Sequence, residues 1–160
     1  MADVNIIVSF VRAAMLFVST SILILAGCIA VLGQLESLYV VLSKLSFSRP
    51  ALPELMEIKL LTLACIFVFA FFKFLWSIRL FNNVLVLIGA APQPGQCDEV
   101  IKREYPRQTA LVIGRAAMNF NGGSRTYYFG LDLLPWFVHP YFLVISTIIV
   151  ILVLYRRDFR

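Results

Sequence analysis

Histidine occurs once in this 160-residue chain, at position 139, and that scarcity removes whole classes of chemistry. One imidazole makes neither a histidine-rich metal site nor the paired axial ligands of a bis-histidine haem. Cysteine occurs three times, which is no even disulfide framework, and Cys28 and Cys65 lie inside apolar runs as small hydrophobes do. Two such thiols far from any acid do not make a zinc site. Neither "GAAPQPG" (89–95) nor "NGGSR" (121–125) has the spacing of a phosphate-binding loop. No Ser–His–Asp set assembles around His139, which sits among apolar residues and precedes Pro140. The chain is therefore expected not to be an enzyme and to hold no metal or other cofactor.

Charge is scarce as well. Charged residues make up 14% of the chain against 61% apolar ones, and the mean hydropathy is +0.88. Ala13–Leu35 and Leu133–Tyr155 are each 23 residues without an acid, lysine or arginine, and about 20 suffice to cross a bilayer. A third run, Leu60–Ala91, is interrupted only by Lys73 and Arg79. These runs predict an all-α, integral membrane domain over residues 1–160. Its expected spans are about 5–33, 58–90 and 125–155, joined by short interfacial helices, one of them at about 107–121. The net charge of +5 is not laid out as a soluble basic stripe with interleaved aromatics, so nucleic acid is not an expected partner. Anionic headgroups are. Leu25-Ala26-Gly27-Cys28 has the look of a lipoprotein signal, but the apolar run continues through Ile29–Leu32, as a span would.

Between the first two spans, "QLESLYVVLSKLSFSRPALPE" (34–54) reads as a short interfacial helix followed by a turn at Arg49-Pro50 and Pro53. Pro53 with Glu54 and Glu57 is a helix start, with proline in the first turn and acids near the positive end of the dipole. Residues 93–108 read as the aqueous loop, and Gly122-Gly123 as the break before the third span. Pro135 and Pro140 free backbone carbonyls that neighbours or water must satisfy.

Three antiparallel spans bring the polar residues to one leaflet. Arg12, Lys73, Arg79, Asn82 and Asn83 come from the first two spans, and Asp132 and His139 from the third. Trp76, Arg125 and Tyr128 flank them and complete a candidate lipid- or anion-binding set. The expectation is an inward-facing polar seam in which Asp132 pairs with Arg79 or Lys73. Three roles stay open for it: helix-bridging glue, a seat for an anionic headgroup or carboxylate, and a proton relay through Asp132 and His139. Eight cations on the side of Arg12 against six on the other favour a cytoplasmic N-terminus.

At "FFKFLWSIRLFNNVLVLIGAAP" (71–92) the chain resembles domain-of-unknown-function family 599, integral membrane proteins of bacteria and plants. The resemblance extends to "FVSTSILILAGCIAVLG" before it and to "MNFNGGSRTYYFGLDLLPWFVHPYF" and "LVLYRRDF" after it. Lys59, Lys73, Trp76, Ser77, Arg79, Asn82, Arg125, Tyr128, Trp136 and His139 match the family pattern. The resemblance implies a bacterial inner (plasma) membrane and no known activity. Members usually begin with one more span and an arginine-rich linker, which implies either a four-helix unit cut to three or a helix supplied by a partner and, again, a cytoplasmic N-terminus. The expected function is an accessory or structural subunit of a larger membrane protein complex, in contact with anionic lipids and with other integral membrane subunits or copies of itself. The alternative is an oligomeric transporter or channel for a small anionic solute using Lys73, Arg79 and Asp132.

Overall fold

The computed structural model describes residues 2–44, 53–91, 99–137 and 139–158. Among them there is no strand, so the expected all-α class is the observed one. Helix α1 is Ala2–Leu32, α2 Leu35–Ser43, α3 Pro53–Gly89, α4 Glu99–Asp132 and α5 Pro140–Asp158, with a 3-10 turn at Leu134–Phe137. Helix α3 starts at Pro53 with Glu54 in its first turn, as the sequence predicts. It ends at Gly89, where Ala90 and Ala91 donate back to the carbonyls of Val86 and Ile88 at 2.9 and 3.3 Å. The Tyr105 hydroxyl donates to the Leu87 carbonyl, so the last turn is closed by a side chain of α4. Three hydroxyls inside the apolar helices are satisfied locally: Ser19, Thr20 and Thr62 each donate to the carbonyl four residues back, at 3.0, 3.0 and 2.8 Å.

By length and composition, Val4–Leu32 and Glu54–Gly89 can cross a membrane, with mean hydropathies of 2.5 and 2.2, and Pro140–Arg156 is a shorter apolar helix. Two boundaries differ from expectation. The helix expected at 107–121 is the middle of α4, which runs unbroken through Gly122-Gly123 and already includes Glu99–Gln108 of the expected loop. The span expected over 125–155 is interrupted at residues 133–139. Glycine costs a helix about 1 kcal/mol relative to alanine, but Gly123 is where the Phe74 ring lies, and a Cβ there would stand 3.1 Å from it. Close packing favours the glycine that propensity penalises. The interruption belongs to the prolines, because Pro135 and Pro140 carry no N–H for the carbonyls four residues before them. The turn expected at Arg49-Pro50 and the loop residue Cys97 lie outside the described residues.

The chain divides into two compact units, residues 1–20 with 71–123 and residues 21–70 with 124–160; α1, α3 and α4 contribute to both. The first has a core of Ile7, Val11, Phe81, Val84 and Ala116. Its rings are closely layered: Phe17 stacks on Phe74 at 4.8 Å, Phe120 meets Phe74 edge-on at 5.7 Å, and Phe10 stacks on Phe81 at 5.6 Å. The buried Ser77 hydroxyl donates to the Ala116 carbonyl at 2.9 Å, tying α3 to α4. The second unit has a smaller core of Cys28, Leu63 and Phe67, with Tyr127 edge-on to Phe67 at 5.2 Å. There Gly130 lies against Phe67, and a Cβ on it would stand 2.9 Å from the ring.

Candidate functional site

The chain contains two tryptophans, and a cation of α3 is seated on each. In the first unit the Arg79 guanidinium lies 5.6 Å from the Trp76 ring centre, one helical turn away on the same face. In the second the Lys59 ammonium lies 4.6 Å from the centre of the Trp136 ring. Lys59 also donates to the Trp136 carbonyl at 3.2 Å. The reason is local: that carbonyl would accept from the N–H of residue 140, which is proline. The freed acceptor is taken by an ammonium from another helix, so one side chain repairs the backbone and satisfies the ring face at once.

The same break orders the surroundings of Asp132, the last residue of α4. Its backbone carbonyl accepts from the Ser146 hydroxyl at 3.2 Å, and its Oδ2 accepts from the Thr147 hydroxyl at 2.7 Å. Thr147 also donates to the Leu143 carbonyl at 2.8 Å, so its one hydrogen is shared. Asp132 is 6% exposed, and its Oδ1 is buried without a hydrogen-bond partner. His139, seven residues further along the chain, is held by its own neighbours. Its Nδ1 accepts from the Tyr141 N–H at 3.3 Å, and its ring stacks on Tyr141 at 5.1 Å.

The expected set is divided between the two units. Arg12, Lys73, Trp76, Arg79, Asn82 and Asn83 belong to the first unit, while Arg125, Tyr128, Asp132 and His139 belong to the second. Within the first, Arg12, Trp76, Arg79, Asn82 and Asn83 are exposed and Lys73 is half-buried. The inward seam is thus corrected for the α3 positions: Trp76, Arg79, Asn82 and Asn83, with Phe72 and Leu75, make the outward face of α3, whose inward face is Phe74, Ser77, Phe81 and Val84. Spacing put Arg79, Asn82 and Asn83 on one side, and it is the side away from the core. In the second unit Arg125 is exposed and Tyr128 half-buried, and Asp132 pairs with Thr147 where a guanidinium or ammonium was expected. Among the described residues, no group of three or more His, Cys, Asp or Glu side chains could hold a metal ion.

Sequence reasoning missed Lys59 and Thr147. Lys59 was legible in principle, because Pro140 leaves the Trp136 carbonyl in need of a donor. Nothing local to Thr147 distinguishes it from the other back-bonded hydroxyls. The family model described as "Protein of unknown function, DUF599" matches residues 1–160, the whole chain. No curated protein and no solved structure matches it.

Proposed function

The chain belongs to the DUF599 family, and from that premise we propose a non-catalytic integral membrane protein, an accessory subunit that packs beside other membrane proteins and contacts anionic lipids. The observation that carries this reading is the pair of cation–tryptophan contacts on α3. Lys59 and Arg79 are 20 residues apart on one helix, about 30 Å of rise, which is the thickness of a bilayer's hydrocarbon core. Tryptophan with lysine or arginine is the composition of the membrane–water boundary. On that placement the outward Trp76, Arg79, Asn82 and Asn83 meet headgroups at one boundary, and Lys73, about 9 Å inside it, reaches back along its own stem.

Exposure supports the same reading. The most apolar windows of α1 and α3 are only 11% and 28% buried, where the core helix of a water-soluble protein would be mostly covered. On α5 the consecutive Ile151, Leu152 and Val153 are all exposed, so its apolar surface is not confined to one face and is available to lipid and to neighbouring helices. Neither Asn82 nor Asn83 has a side-chain hydrogen bond among the described residues, and an amide at the edge of a span is served by a headgroup or by another subunit. A bacterial plasma membrane follows from the family resemblance, and a cytoplasmic N-terminus from the eight cations against six. The rival reading, a transporter or channel for a small anionic solute, would use Lys73 and Arg79 of the first unit and Asp132 of the second.

Native mass spectrometry of the protein extracted gently from its own membrane, at its natural level, tests the proposal. A mass containing a different membrane protein is expected. A homo-oligomer that carries an anionic solute would overturn the subunit reading in favour of the transporter.

A further inference from the structure

The second unit contains an open, apolar cavity of about 310 Å³. It is bounded by Ile24, Gly27 and Val31 of α1, Leu60 and Leu63 of α3, and Phe137 of the 3-10 turn. Two features of the sequence leave it unfilled. Gly27 contributes no side chain, and a Cβ there would meet nothing within 4 Å. The proline-bounded turn replaces a regular helix with four residues of 3-10 geometry, so one wall is a short turn rather than a continuous ridge. The lining carries no carbonyl-seeking or charged group; Cys28, 5% exposed, brings the one thiol. Such walls hold hydrocarbon and select against anything that must hydrogen-bond.

A charge stands beside this apolar space. Lys59 adjoins Leu60 in the chain and lies one turn before Leu63, while its partner Trp136 adjoins Phe137. The ammonium has three donors, of which the Trp136 carbonyl takes one. Among the described residues no carboxylate lies within ion-pair distance of Lys59, although Glu54 and Glu57 are on the same helix. A fixed cation with no carboxylate partner among the described residues, at the lip of a hydrocarbon-sized groove, is complementary to an amphiphile with a negative head. Lysine suits a phosphate in particular, as a compact point charge.

We infer that this groove binds an anionic glycerophospholipid of the surrounding bilayer, one acyl chain lying between α1, α3 and the 3-10 turn and the phosphate paired with Lys59. The site is separate from the outward face of Trp76 and Arg79, some 20 residues along α3 from it. At about 300 Å³ the space is at the small end of ligand cavities, enough for part of one chain and not for a whole lipid. The rest of the molecule stays in the bilayer. The cation–π contact holds Lys59 in place before the lipid arrives, so little side-chain order is lost on binding.

The inference rests on the membrane placement proposed above, and the two fail separately. If the chain leaves the membrane fraction at high pH and high salt, the placement is wrong. If it stays there and binds lipids without regard to headgroup, only the lipid assignment is wrong. The experiment is native mass spectrometry of the intact purified protein titrated with phosphatidylglycerol and, in parallel, with phosphatidylcholine of the same chains. Retention of phosphatidylglycerol is expected to exceed that of phosphatidylcholine about tenfold, the equivalent of one charge-assisted contact. Lys59→Gln is expected to bring the two lipids level and Lys59→Arg to keep the preference, while Gly27→Phe fills the groove and releases both. Gly27→Ala, with open space for its Cβ, is the folded control. Equal retention by the unaltered protein, or full phosphatidylglycerol binding by Gly27→Phe, overturns the inference. So does a dimer that Gly27→Phe converts to monomer without loss of lipid, because the groove would then belong to a second copy. Should Lys59→Gln not fold, phosphatidylglycerol with a photoreactive acyl chain decides on the unaltered protein. Crosslinks to residues 24–31 or 134–137 support the site, and crosslinks confined to other residues overturn it.

Discussion

The two units use the same device and finish it differently. In each, a fully buried phenylalanine of α3 closes on a glycine of α4: Phe74 on Gly123 in the first, Phe67 on Gly130 in the second. Around Phe74 further rings fill the space, with Phe17 stacked and Phe120 edge-on, and Ser77 adds a buried interhelical hydrogen bond. Around Phe67 there is one ring partner among the described residues, Tyr127. Nearby are an open cavity, an interrupted helix, a cation on a backbone carbonyl and a buried carboxylate with an orphaned oxygen. Packed rings fill the interior of the first unit, whereas the packing of the second stops short and leaves the cavity open.

The sharpest test is to remove each phenylalanine. Phe74→Ala is expected to destabilise by about 3–5 kcal/mol, the range for a large buried aromatic, and Phe67→Ala by clearly less because it loses fewer ring contacts. Reversible unfolding in mixed detergent micelles measures both; equal losses would erase the distinction between the units. Next come the glycines. Alanine at Gly130 meets the Phe67 ring at 2.9 Å and is expected to cost about 1–3 kcal/mol. At Gly123 the contact is 3.1 Å, and the helix-propensity gain of about 1 kcal/mol should bring the net change near zero, read by the same unfolding.

The polar groups of the second unit refine the comparison. Thr147→Val leaves the buried Asp132 carboxyl without its one hydrogen bond and is expected to cost about 1–3 kcal/mol. Asp132→Asn keeps an acceptor for Thr147, adds no charge and is expected to change stability by less than about 1 kcal/mol. An accessory subunit carrying that substitution should still assemble, which co-purification of its partner reads directly. The smallest effect belongs to the outward face. Arg79→Ala removes an exposed cation–π contact with Trp76 and should shift stability by only about 0.5 kcal/mol. A much larger loss would mean that the face is covered by another subunit.

Legibility divides along the same lines. The start of α3 at Pro53, its stop at Gly89 and the apolar stretches of α1 and α5 were readable, because each depends on residues within a turn or two. Gly122-Gly123 was misread for a physical reason: glycine's weakness as a helix former is local, whereas its value to Phe74 depends on a residue 49 positions away. The polar residues of α3 were placed correctly together and on the wrong side, because a helical period fixes which residues share a face and not which face the rest of the chain covers. Pro135 and Pro140 were recognised as freeing carbonyls; which donors would answer was not.

What the sequence determined by itself is therefore the material: an all-helical chain, apolar over long runs, poor in groups that catalyse or bind metal, with three cations set within its longest helix. These follow from composition and from interactions a few residues apart. Tertiary structure alone decided that Lys59 repairs a carbonyl 77 residues away, that Asp132 turns to Thr147, and that a cavity opens beside Gly27. Each of those depends on how closely separate helices approach, and no local pattern encodes that distance.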